Sequence, residues 1–238
     1  MAKKDIFYKN YIYSISYDIV NFNATRDIVF LHGWGSNKEV MKSAFASHLI
    51  DFRHIYIDMP GFGNSNNDQV LCTQDYANII QIFLDELDSK PEVIAGHSFG
   101  GKVATLLNPK YLVLLSSAGI VEEKPLDVKI KIALTKILGK LGLKEFTKIF
   151  RTKDASNMSQ NMYETLKNVV NEDFSEVFAN FSNTAVIFWG INDKATSLQS
   201  GKTIAKLIKH STFNALGGDH YFFLKHSKFI SEIIDGLD

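Results

Sequence analysis

Ser98 lies between glycines at 96 and 100, in Gly96-His97-Ser98-Phe99-Gly100, directly after the apolar run Val93, Ile94, Ala95 and directly before a helical pattern. A run of that length and composition suits a buried strand, so the serine falls at a strand-to-helix turn. Glycine on each side removes the Cβ atoms that would collide as the chain reverses. The hydroxyl would then stand clear of the sheet at a helix start, where backbone N–H groups and the helix dipole favour a developing negative charge. The chemistry open to such a residue is nucleophilic attack. A serine hydroxyl is a weak nucleophile at neutral pH, so it needs a general base, and the base needs a third group to hold its tautomer and stabilise its charge.

Partners for Ser98 are sought in the order acid, then histidine, that goes with a G-x-S-x-G turn. Asp193 ends Trp189-Gly190-Ile191-Asn192-Asp193, a tight turn behind an apolar run at 185–189, and His220 ends Gly217-Gly218-Asp219-His220, behind a run at 211–216. In a parallel sheet these loops open on the same edge as the Ser98 turn, so residues far apart in sequence can meet. Glu122 and Glu123, which follow the run at 111–115, are the alternative acids. His48, His54, His210 and His226 read as surface or packing residues, and His97 is expected to point into the structure, away from the pocket. Asp219 should point elsewhere than its neighbour His220, and Asp58, before a Pro-Gly turn, reads as structural. Cys72 has no base nearby and makes a poor nucleophile. Charge developing on an attacked carbonyl needs two preorganised N–H donors; the amides of Phe99, directly after Ser98, and Trp34, behind His32-Gly33, are the candidates.

The elements that must position these residues follow from periodicity. Alternation from Tyr11 to Val20 predicts a half-exposed strand in an N-terminal hairpin. A denser apolar run at 27–31 predicts a central strand covered on both faces, and a further strand is expected at 53–58. Ser36 to Glu39 has capping-box spacing, predicting a helix from Ser36 to about Ile50. Helices are also expected at 73–87, 99–107, 197–208 and 221–234. Strands alternating with helices imply a mostly parallel sheet with helices on both faces, the α/β class. Between 121 and 183 the alternation stops and only helical pattern remains, too long for a crossover helix. We expect a core domain of 1–120 and 184–238 and an inserted helical lid, or cap, at 121–183. Phe146, Phe150, Phe178 and Phe181 within it suggest an apolar acyl pocket.

Composition narrows the field. The 238 residues carry 26 basic and 26 acidic side chains, so no net charge draws the chain to nucleic acid or anionic membrane. One cysteine excludes internal disulfides and thiolate metal clusters. Met1-Ala2-Lys3-Lys4-Asp5 leads into an aromatic-rich strand, so no secretory signal is expected, and no stretch has the apolar length of a membrane span. A soluble, cytoplasmic protein without metal or cofactor is the expectation.

With His32-Gly33-Trp34-Gly35, Asp58-Met59-Pro60-Gly61-Phe62-Gly63-Asn64-Ser65, Gly96 to Gly101, Trp189 to Asp193 and Gly218-Asp219-His220 in order, the chain resembles the α/β-hydrolase superfamily over nearly its full length. Within it, the first two motifs look most like the carboxylesterases that cleave the methyl ester of pimeloyl-carrier protein. The resemblance implies the α/β-hydrolase fold, Ser98, Asp193 and His220 as triad and the Trp34 and Phe99 amides as oxyanion hole; a small-molecule ester of small to medium acyl chain is the expected substrate. Lidded carbon-carbon bond hydrolases of ring-cleavage products share lid and triad but carry Trp after the histidine, where this chain has Tyr221. A non-enzymatic ligand receptor on the same fold is the other alternative. Between Val128 and Lys153 the basic residues Lys129, Lys131, Lys136, Lys140, Lys144, Lys148, Arg151 and Lys153 face one acid, Glu145. The plainer reading is a solvated face. The sharper one is a docking surface for an acidic acyl-carrier protein.

Overall fold

The computed structural model describes residues 1–121 and 158–237. β1 (Ala2–Tyr8) and β2 (Tyr11–Val20) form the N-terminal hairpin, turning through Lys9 and Asn10, both at positive φ as a two-residue hairpin loop requires. β3 (Arg26–Leu31), β4 (Phe52–Ile57), β5 (Val93–His97), β6 (Tyr111–Leu115), β7 (Thr184–Gly190) and β8 (Ser211–Leu216) complete one sheet in the order β1-β2-β4-β3-β5-β6-β7-β8. β2 runs antiparallel to its neighbours β1 and β4, and every pair from β4 through β8 is parallel. The carboxyl ends of β5, β7 and β8 therefore share one edge.

Alternate residues of each central strand feed two separate cores. Ile28 and Phe30 face one side with Met41 and Phe45 of α1 (Lys38–Phe45) and Phe223, Ile230 and Ile234 of α7 (Phe223–Asp235). Val29 and Leu31 face the other with α2 (Thr73–Glu86), α3 (Phe99–Leu106) and α6 (Leu198–Leu207). Complete burial of each such side chain stabilises the fold by roughly 1.5–3 kcal/mol. Covering on both faces explains why β5 and β6 are buried at every position, whereas the edge strand β8 has no fully buried residue.

α1 departs from expectation at both ends. Its N-cap is Asn37, whose Oδ1 accepts from the Glu39 amide at 3.0 Å, not Ser36, whose amide is turned to the Gly33 carbonyl. The cause is a buried carboxylate: Asp58 takes the Lys38 amide and ammonium, each at 2.8 Å, and docks the first turn of α1 against the sheet. Asp58 is thus structural. The helix stops at Phe45 because Leu49 adopts a positive φ and its carbonyl takes the Phe52 amide, starting β4.

Between β6 and β7 lie α4 (Gln160–Val170) and α5 (Ser175–Asn180). Phe178 and Phe181 belong to the main core rather than to the wall of the cavity described below, since α5 packs against α6 and α3. Phe146, Phe150, the basic run 129–153 and Glu122 and Glu123 lie outside the described residues.

Candidate active site

The turn after β5 is built by close backbone approach. A Cβ on Gly96 would overlap the Gly100 carbonyl, and one on Gly100 would press on the carbonyls of Leu31 and His32. Ser98 itself takes φ 51°, ψ −115°, a conformation that costs about 1–3 kcal/mol in an L-residue. Its amide donates to Leu115 (3.1 Å), and its carbonyl accepts from Gly101 and Ala118 (both 3.0 Å), so the strained turn is held from three sides. The hydroxyl-bearing Cβ stands at the N-terminus of α3, on the wall of a cavity of about 380 Å3.

The loops after β7 and β8 bring Asp193 and His220 together. His220 Nδ1 donates to Asp193 Oδ2 at 2.7 Å. Asp193 is fixed in turn: Oδ1 accepts from the Ala195 and Thr196 amides (2.8 and 3.1 Å) and Oδ2 from Thr196 Oγ1 (3.0 Å). Burial pushes its carboxyl up, but the His220 and Thr196 hydrogen bonds, the His220 charge and the Ser116 hydroxyl outweigh burial and bring it down to about 2. Asp193 is therefore an anion across the working range, facing an imidazole it can stabilise when protonated. Asp219 turns away, its Oδ1 accepting from the Tyr221 amide.

His97 differs from expectation. It is buried, at 1% exposure, but it does not point away from the site: its Nε2–H donates to the His220 carbonyl at 3.0 Å and its ring lies 4.5 Å from the His220 ring. The imidazole of His220 thus rests on the residue that precedes Ser98. Desolvation, then the neighbouring His220 charge, pushes His97 down to about 3. It stays neutral in the Nε2–H tautomer, with Nδ1 bare against Gly33. Thr196 and His97 are the positioning groups that sequence left unread. Thr196 directly follows Ala195, whose amide closes an Asx-turn on Asp193, and so carried a signal; His97 carried none.

Trp34 and Phe99 both border the cavity beside Ser98, and their rings meet edge to face at 5.5 Å. Phe99 opens α3, so its amide precedes any acceptor within the helix. The Trp34 loop is braced from behind by His32, whose Nδ1–H donates to the Gly33 carbonyl (2.8 Å) while Nε2 accepts from the Met59 amide (3.1 Å). Burial drives His32 down to about 4. His54 likewise packs inside, Nε2–H donating to the Leu49 carbonyl and Nδ1 accepting from the Tyr56 hydroxyl, and desolvation lowers it too. Cys72 sits at the N-cap of α2 beside the Asp75 carboxylate, with its thiol pushed up by burial and by that carboxylate.

Three histidines buried neutral make the fold acid-sensitive. The unfolded chain takes up their protons near pH 6.5, whereas folded His32 and His97 resist until about 4 and 3. Stability is therefore complete above pH 6.5 and lost as the pH falls toward those values, by about 1.4 kcal/mol per unit for each histidine. Urea unfolding at pH 7 and pH 5 should show a loss of about 4 kcal/mol from these two; equal stability at both would contradict neutral burial.

Among the described residues no group of three His, Cys, Asp or Glu side chains could hold a metal, and no helix is long and apolar enough to cross a membrane. Residues 28–232 match the model of the alpha/beta hydrolase family. A pimeloyl-[acyl-carrier protein] methyl ester esterase from Pectobacterium carotovorum is 38% identical over 81 residues, 33% of this chain and 29% of that protein, so the match spans under a third of the relative. An esterase from Exiguobacterium antarcticum superposes with a TM-score of 0.76 over 98% of each chain at 19% identity. A meta-cleavage product hydrolase from Pseudomonas fluorescens gives 0.69 over 97% of this chain and 95% of that one, at 16% identity. The sheet order, the turn at Ser98 and the extent of the sequence match agree, and the chain belongs to the alpha/beta hydrolase family.

Proposed function

We propose that this enzyme hydrolyses carboxylic esters through an acyl-enzyme on Ser98. The observation that carries the reading is the 2.7 Å bond from His220 Nδ1 to Asp193, made where the His220 ring rests on the residue next to Ser98. With Nδ1–H committed to Asp193, Nε2 is the basic nitrogen left to take the Ser98 proton. Oγ attacks the ester carbonyl, the oxyanion is met by the Trp34 and Phe99 amides, and protonated His220 returns its proton to the departing alcohol. Water then attacks the acyl-serine with His220 as base, and Ser98 leaves with its proton restored. The residues at 121–183 would serve as a cap that keeps bulk water from the acyl-enzyme. Ile120, Leu166 and Val169 on the cavity wall favour a small to medium acyl chain. The carrier-protein esterase among the relatives supports a carrier-linked ester as one substrate, with the basic run 129–153 as the surface that would meet an acidic carrier.

A fluorophosphonate probe tests the assignment. Mass spectrometry of the digested protein should find one phosphonate on the peptide containing Ser98, with ester turnover lost in proportion to labelling. Loss of turnover with the label on another residue would refute Ser98 as nucleophile.

A further inference from the structure

One turn along α3 from the nucleophile stands a buried lysine, roughly 6 Å away along the helix axis. Lys102 is 1% exposed. Its ammonium donates to the Val169 carbonyl at the end of α4 and to Glu172 Oε2, both at 2.8 Å, and lies 4.4 Å from the centre of the Phe174 ring. Thr73 Oγ1 donates to the same Glu172 oxygen. Desolvation pushes Lys102 down, and Glu172 opposes it. Burying an ion pair is a poor way to gain stability, since apolar residues of equal volume commonly do as well or better. The two members of this pair are unequally hidden: the Glu172 side chain is 34% exposed and borders the cavity that holds Ser98.

We propose that Glu172 lines the acyl site and selects esters whose acyl chain carries a hydrogen-bond donor where it reaches that carboxylate, a hydroxyl, amide N–H or ammonium group. This proposal rests on the ester-hydrolase reading above and deepens it. The described donors to Glu172 both reach Oε2; the substrate's donor would take Oε1. An alkyl end pressed against that carboxylate would strip its water and return nothing; a donor at the chain end replaces the water with a charge-assisted bond. A carboxylate end would meet the Glu172 charge without finding a donor, because the Lys102 ammonium, which offsets part of that charge, has its protons turned to Val169, Glu172 and the Phe174 ring. The methylenes between the ester and the chain end would run along Ile120, Leu166 and Val169.

The test compares methyl hexanoate with its ω-hydroxy, ω-ammonio and ω-carboxylate analogues by methanol release, each rate divided by that of hydroxide on the same ester. Wild-type kcat/KM should fall in the order ammonium and hydroxyl, then methyl, then carboxylate, with steps of about tenfold, the size expected of one hydrogen bond to a charged group. In Glu172→Gln, which can still accept from Lys102 and Thr73, the ammonium preference and the discrimination against carboxylate should both shrink to within about threefold of the methyl-ended ester. A flat or reversed order in the wild type overturns the subsite even if the variant fails to fold. An order that persists in Glu172→Gln assigns the selection elsewhere and overturns it as well. Turnover that depends on Ser98 but ignores the chain end removes this proposal alone; no Ser98-dependent turnover of any ester removes the hydrolase reading with it.

Discussion

Ser98→Ala should lower kcat on a p-nitrophenyl ester by about a million-fold, the scale seen when the nucleophile of a serine triad is removed, leaving only the smaller acceleration that binding and oxyanion donors supply alone. The fold should survive. Alanine keeps the Cβ and therefore faces the same strain at φ 51° that serine already tolerates. The three backbone bonds that hold the turn, to Leu115, Gly101 and Ala118, use no side-chain atom. Circular dichroism and melting temperature should thus match the wild type while turnover vanishes. Activity within tenfold of wild type would mean that another group attacks, and Cys72 would be an unsuitable heir, with its thiol pushed up beside Asp75.

Much of the architecture is legible because its strands are short runs of β-branched and aromatic residues between turn signals. β6 and β8 fall at 111–115 and 211–216, where periodicity puts them. Asp193 and His220 could be placed on one sheet edge from strand direction alone, although the hydrogen bond between them needs coordinates. What stays hidden has a common physical cause: a side chain whose partner is remote main chain leaves no pattern. His97 bonds a carbonyl 123 positions away, and no spacing rule links them. Lys102 likewise meets Val169 and Glu172, 67 and 70 positions away in the segment between β6 and β7. The N-terminus of α1 misleads for a related reason. Ser36 and Glu39 have the spacing of a capping box, but the Asp58 carboxylate captures the Lys38 amide and so fixes where the helix begins.

Asp193→Asn should cost about ten-thousand-fold in kcat with little change in KM, because the substitution reverses a tautomer rather than emptying a site. The Ala195 and Thr196 amides both donate to Oδ1, so an asparagine must keep its carbonyl oxygen there and place its NH2 where Oδ2 now meets His220. That NH2 can only donate. His220 Nδ1 must then accept, which forces the ring proton onto Nε2, the nitrogen required to take the Ser98 proton. The imidazolium formed during attack also loses its counter-charge, 2.7 Å away in the native protein. Fluorophosphonate labelling of Ser98 should slow by a comparable factor, since it too needs the base, whereas binding of the intact ester should not. If kcat falls less than tenfold, a different acid holds the imidazole, and Glu122 and Glu123 become the pair to replace next.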